Sequence, residues 1–130
     1  MNRQIKFRGF NLKNKQWIYG YYLVNRGKHY IVKDEVVEPF VEESDFEVDP
    51  ESVGQFVCNA DGVDIYEGDI VDMVCEEPTL SRRGTIGWNS LYCEWKIYGE
   101  CRFGDALFME KSLFKYEVIG NEYEKKLSNP

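Results

Sequence analysis

The residues of this chain best spaced for chemistry are acidic. Asp69 and Asp72, followed later by Glu94-Trp95-Lys96, repeat the acid, Glu-x-Lys layout of metal-dependent nucleases. In such sites carboxylates hold Mg²⁺ while a lysine steadies the attacking water or the phosphate. Glu94 and Lys96 are two apart and share one strand face, as such a site needs, but Asp69 and Asp72 are three apart and point opposite ways on a strand. The competing expectation is that Glu67-Gly68-Asp69 is a turn whose carboxylates bond backbone N–H groups. Nucleophilic catalysis has less support. It needs a base, and the single histidine, His29, follows Lys28 on a predicted strand, where it reads as a surface or partly packed side chain. Gly84-Thr85-Ile86-Gly87 lies inside a strand pattern and lacks the lysine of a phosphate loop. Cys58, Cys75, Cys93 and Cys101 stand 17, 18 and 8 residues apart with no Cys-x-x-Cys pair. That spacing predicts reduced cysteines used as small hydrophobes, with Cys93 sharing a strand face with Leu91, Trp95 and Ile97. We therefore expect no catalytic residue, no metal, no cofactor and no enzyme activity.

Charge is the second signal. The net charge of −7 divides into three blocks. Residues 1–33 carry eight Lys or Arg and no acid, and residues 34–51 carry nine Asp or Glu and no base. The remainder carries a charge of −6. Unlike blocks adjacent in sequence attract, so the first expectation is mutual neutralisation. The alternative is two patches presented to partners. Arg3, Lys6, Arg8, Lys13 and Lys15, with Arg26 and Lys28, would then form a weak nucleic-acid surface. Glu42, Glu43, Asp45 and Glu47 would form a partner-binding one. An acidic chain is a poor sequence-blind DNA binder, because that binding depends on neutralising phosphates.

These residues must be positioned by strands. Aromatic residues make up 15% of the chain, a composition that favours pleated, half-buried surfaces. Alternation predicts strands over 4–10, 16–24 and 28–33, joined by turns at 11–15 and 25–27, which is a meander. Trp17, Tyr19, Tyr21 and Leu23 fall on one face of the second strand, with Tyr22 on the other; that stripe reads first as core and otherwise as a base-stacking platform. The acidic stretch has room for a short strand at 36–41 and a helical turn at 42–46. Further strands are expected over 52–58, 70–75, 83–88, 91–98 and 117–123, with a hairpin turn at Asn89-Ser90 and a helical turn near 110–114. The fold class is mainly β: an N-terminal meander plus a small, partly open SH3-like barrel. We read one domain over 1–130, with the basic meander and acidic connector in 1–48 and the barrel-like core in 49–130.

Several segments, in order along nearly the whole chain, resemble the YopX family of phage and prophage proteins from Gram-positive bacteria. They are Ile5-Lys6-Phe7-Arg8, Asp49 to Phe56, Asp61-Gly62 with Asp64 to Val71, and Glu117 to Glu124. Departures occur at Gly9-Phe10-Asn11, where the family often has Ala-Trp-Asp, and at Val57-Cys58-Asn59, where it often has Thr-Gly-Leu. The resemblance implies a mainly β fold, a phage or prophage origin and no established activity, and it supplies no catalytic residue.

The expectation for function is a phage accessory protein that acts by binding a host or phage protein, with a homo-oligomer as one form of that contact. The rivals are a nucleic-acid-binding module and an Mg-dependent nuclease. No apolar run approaches the ~20 residues of a membrane span, and Met1 to Lys6 lacks an apolar leader, so we expect a cytoplasmic location.

Overall fold

The computed structural model describes residues 4–33, 43–60, 62–75, 82–99, 105–106 and 114–128. The expected strand at 36–41, the helical turn near 110–114, Arg3 and Glu42 lie outside them. The chain is mainly β, as its composition and alternation predict. Among the described residues ten strands form two antiparallel five-stranded sheets, with order β3-β2-β1-β4-β5 in one and β10-β6-β7-β8-β9 in the other. Neither of these sheets closes into a barrel, so in place of the expected partly open SH3-like barrel the described strands form open sheets. No helix among the described residues is long and apolar enough to cross a membrane. The chain divides into two compact units, Met1–Phe56 and Val57–Pro130.

The first unit is the meander. β1 (Phe7–Asn11) pairs with the first half of β2 (Gln16–Asn25), from Phe7 opposite Gly20 to Asn11 opposite Gln16. The second half of β2 pairs with β3 (Lys28–Val32), from Tyr21 opposite Val32 to Asn25 opposite Lys28. The hand-over falls at Gly20, whose backbone approaches the Val32 carbonyl so closely that any Cβ would collide with it. Arg26 and Gly27 both have positive φ, 52° and 75°, which suits the two-residue hairpin turn joining β2 to β3. Pairing then fixes the faces: Ile18 and Ile31 point inward and pack with Val48, flanked by Phe7 and Val53. On the other edge of β1, Phe7 and Arg8 pair with Gln55 and Gly54 of β4 (Gly54–Ala60).

The acidic segment is built into this unit. The expected helical turn shortens to one 3-10 turn, Glu43–Asp45, and a second follows at Pro50–Ser52. Between them the chain runs along β3, with the Ile31 amide donating to the Phe46 carbonyl and the Val48 amide to that of His29, both at 2.9 Å. It then meets β1, where the Asp49 amide donates to the Phe10 carbonyl at 3.0 Å and the Ser52 hydroxyl accepts from the Phe10 amide at 2.7 Å.

The second unit is held by Ile65, Val71, Met73, Ile86, Ile97 and Tyr116, with Val57, Cys58, Ala60 and Trp95 packed against them. They come from the end of β4, β5 (Val63–Tyr66), β6 (Asp69–Cys75), β7 (Arg82–Asn89), β8 (Glu94–Gly99) and β10 (Phe114–Asn121); β9 (Asp105–Ala106) adds a short edge. Each fully buried aliphatic side chain contributes ~1.5–3 kcal/mol.

Two expectations change here. The β7–β8 connection takes in Ser90 to Cys93, because the Asn89 side chain accepts from the Leu91 and Tyr92 amides and closes the turn early. Cys93 is thus an exposed turn residue at φ 52°, not a member of a strand face. The last strand stops at Asn121, whose side chain accepts from the Glu124 amide at 2.8 Å and caps α1 (Glu122–Ser128), with Glu122 and Glu124 in the first turn.

Candidate interaction surface

The nuclease-like constellation does not assemble. Asp69 is buried and accepts from the Tyr66 amide at 2.8 Å. Gly68, at φ 90°, donates to the Ile86 carbonyl and accepts from the Glu122 amide, both at 2.9 Å. The run Tyr66-Glu67-Gly68-Asp69 is therefore a turn pinned from inside, as its second reading expects. Asp72 points the other way and takes a two-pronged bond from Arg83, at 2.7 and 3.1 Å. That hydrogen bond, with the charge of the guanidinium, holds the Asp72 carboxyl below the usual carboxylate range, against a small opposing effect of burial. Asp72 faces Arg83 while Glu94 faces Asn89, six residues further along β7, which is ~20 Å. Glu94 and Lys96 do share a face, 3.3 Å apart, but Lys96 also lies over the Tyr92 ring at 5.0 Å. Among the described residues no three His, Cys, Asp or Glu group to hold a metal ion.

The basic and acidic positions meet each other. Asn11 is fully buried and its Nδ2 donates to the carbonyls of Ser44, Asp45 and Glu47 at 3.0, 3.0 and 2.9 Å. This clamp brings Lys13 to 3.0 Å from Asp45. Glu47 is half-buried in a bridge with Tyr30, and Glu43 is exposed. Arg8 is buried with its guanidinium 4.8 Å from the centre of Trp17, and Lys6 stands 4.8 Å over Phe56. Lys15 is exposed. Neutralisation between the blocks is thus realised at Lys13 and Asp45, and Arg8 and Lys6 hold aromatic rings.

What stands outward is aromatic. Because Ile18 faces the core, period-2 geometry turns Trp17, Tyr19, Tyr21 and Leu23 to the opposite face. The reading of this stripe as core is corrected: Tyr19, Tyr21 and Leu23 are 49%, 58% and 52% exposed. Only Trp17 is half-buried, edge-on to Phe10 at 5.4 Å and beneath Arg8. On the inner face of the ribbon's outer half, Tyr22 stacks on His29 at 5.7 Å, and its hydroxyl shares a 2.5 Å hydrogen bond with His29 Nδ1. His29 is a packing partner of Tyr22. Arg26 and Lys28 flank the hairpin tip and are exposed. Sequence pattern gave the membership of this stripe but not its side, since Ile18 and Trp17 fit a core equally well.

A second exposed group, Leu91, Tyr92 and Tyr98, stands near the β7–β8 turn, where Lys96 lies 5.0 Å from the centre of the Tyr92 ring and the Tyr98 ring occupies the space a Cβ at Gly87 would need.

No curated protein and no solved structure gives a significant match. A family model described as YopX protein matches residues 6–127.

Proposed function

The chain belongs to the YopX family, and from that premise we propose that it is a phage or prophage accessory protein that works by contact with another protein, without catalysis, inside the host cell. The observation that carries this is the outward face of β2, where Tyr19, Tyr21 and Leu23 expose about half their surface beside Arg26 and Lys28. Tyrosine and arginine are enriched where interfaces bind most tightly, and contiguous exposed apolar surface marks interaction sites. The contact surface is then the aromatic ribbon rather than Glu43, Asp45 and Glu47, whose segment is committed to the fold of the meander.

The test is a Tyr21→Ser, Leu23→Ser double variant. It is expected to keep the wild-type circular dichroism spectrum and melting temperature and to lose the protein cross-linked to the wild-type chain in phage-carrying cells. Unchanged cross-linking in the folded variant would exclude this face.

Nucleic-acid binding has one observation in its favour, the absence of any acid in residues 4–33. Against it, Lys13 is paired with Asp45, and Lys6 and Arg8 are stacked on rings. A salt titration of oligonucleotide binding decides it: phosphate contacts require a steep loss of affinity with salt that Arg26→Glu and Lys28→Glu abolish.

A further inference from the structure

We propose that the protein met by the aromatic ribbon is a second copy of this chain, docked through its acidic edge at β10 and the start of α1; the inference rests on the contact reading above. The ribbon defines what it needs. Its outward face offers Tyr19, Tyr21 and Leu23, and its tip offers Arg26 and Lys28, with no carboxylate anywhere in residues 4–33. Its complement is therefore a surface that is both acidic and apolar. This chain carries one. Among the described strands β10 stands at the edge of its sheet, and a register shift lies between Val118 and Gly120. Val118 and Ile119 are 37% and 46% exposed there, with Glu117 exposed before them and Glu122 and Glu124 exposed after. Lys115 lies beyond one end of this run, and Lys125 and Lys126 fall in the last turn of α1. The bulge and the flanking charges discourage a stray strand from pairing with this edge, so the aliphatic pair between carboxylates is met by side chains rather than by backbone hydrogen bonds. Opposite charges across such a contact fix register and exclude wrong partners.

Two copies meeting ribbon to edge bury both exposed apolar groups and pair Arg26 and Lys28 with Glu117 and Glu122. Ribbon against ribbon would instead bring like charges together. The contact is consequently sensitive to ionic strength, because these charges lie at the surface.

Sedimentation velocity of the full chain tests this. At low salt the mean mass is expected to rise from 15.3 kDa toward at least twice that value with concentration, and to fall back at high salt. Arg26→Glu with Lys28→Glu should abolish the rise, as should Glu117→Lys with Glu122→Lys. Mixing these two variants should restore it, a result that simple misfolding does not give. A single species of monomer mass at every concentration overturns the proposal, and so does self-association that neither charge reversal affects. If the chain stays monomeric while the Tyr21→Ser, Leu23→Ser variant still loses its cross-linked protein, the second copy is excluded and the contact reading survives. Fluorescence anisotropy with a thymidine oligomer provides the remaining arm: tight binding lost in Arg26→Glu with Lys28→Glu, in a monomeric chain, would replace the second copy with nucleic acid.

Discussion

The two units of this molecule bury their strands in different ways. Among the described residues, six buried side chains from five strands form the core of the second unit, and the buried polar Asp69 and Asn121 serve a turn and a helix cap. The described core cluster of the meander is Ile18, Ile31 and Val48, and one of them comes from the acidic segment rather than from a strand of the meander. The remaining order is supplied by polar side chains: Asn11 holds three carbonyls, and Ser52 links Asp49 to Phe10. A three-stranded ribbon has two faces, and among the described residues Val48 and Val53 pack on the side of Ile18. Its second face, with Tyr19, Tyr21 and Leu23, stays in solvent and becomes available for contact.

Core truncation should break the comparison most strongly. Ile31→Ala in the meander and Ile86→Ala in the second unit are each expected to destabilise by about 2–5 kcal/mol. Hydrogen exchange should show protection falling first around 16–32 for Ile31→Ala and around 70–99 for Ile86→Ala; identical protection maps would mean the units do not have separate cores. Next is Asn11→Ala, which takes the donor from three part-buried carbonyls and should remove about 1–3 kcal/mol, with exchange accelerating selectively over 43–49. A loss below about 0.5 kcal/mol in denaturant titration would show that Val48 and the backbone bonds to β1 and β3 hold the acidic segment without the clamp.

Truncating the outward face should do little. Tyr21→Ser is expected to change stability by less than about 0.5 kcal/mol, since more than half of the side chain is in solvent, and a large loss would place that ring in a core after all. The smallest effect concerns Asp72. Its folded carboxyl pKa is depressed by Arg83, so the pair stabilises the fold above the ordinary carboxylate range, and that contribution is lost as pH falls through the depressed value. The pair is largely exposed, and a few tenths of a kcal/mol is the expected size. The melting-temperature gap between wild type and Asp72→Asn should be present near neutrality and close as pH falls below the ordinary carboxylate range; a gap that persists in strong acid would assign it to something other than the carboxylate.

Alternation, turn residues and composition determined much of this protein without coordinates. The meander of β1–β3, the Glu67-Gly68-Asp69 turn and the opposed directions of Asp69 and Asp72 all follow from local pattern, because strand period and turn chemistry act over a few residues. Local pattern also left α1 unread, since Glu117 to Tyr123 alternates as a strand until Asn121 captures the Glu124 amide. What tertiary structure decided is which face of a strand is inside. Trp17, Tyr19 and Tyr21 are aromatic and alternate as regularly as a core-facing set would, so period alone does not choose between their face and that of Ile18. The choice was made by Val48 and Asn11, which bring a segment more than thirty residues away against one side of the ribbon and leave the aromatic side to solvent. The pairing of Lys13 with Asp45 has the same origin: complementary charge blocks made it plausible, and the Asn11 clamp made it a contact.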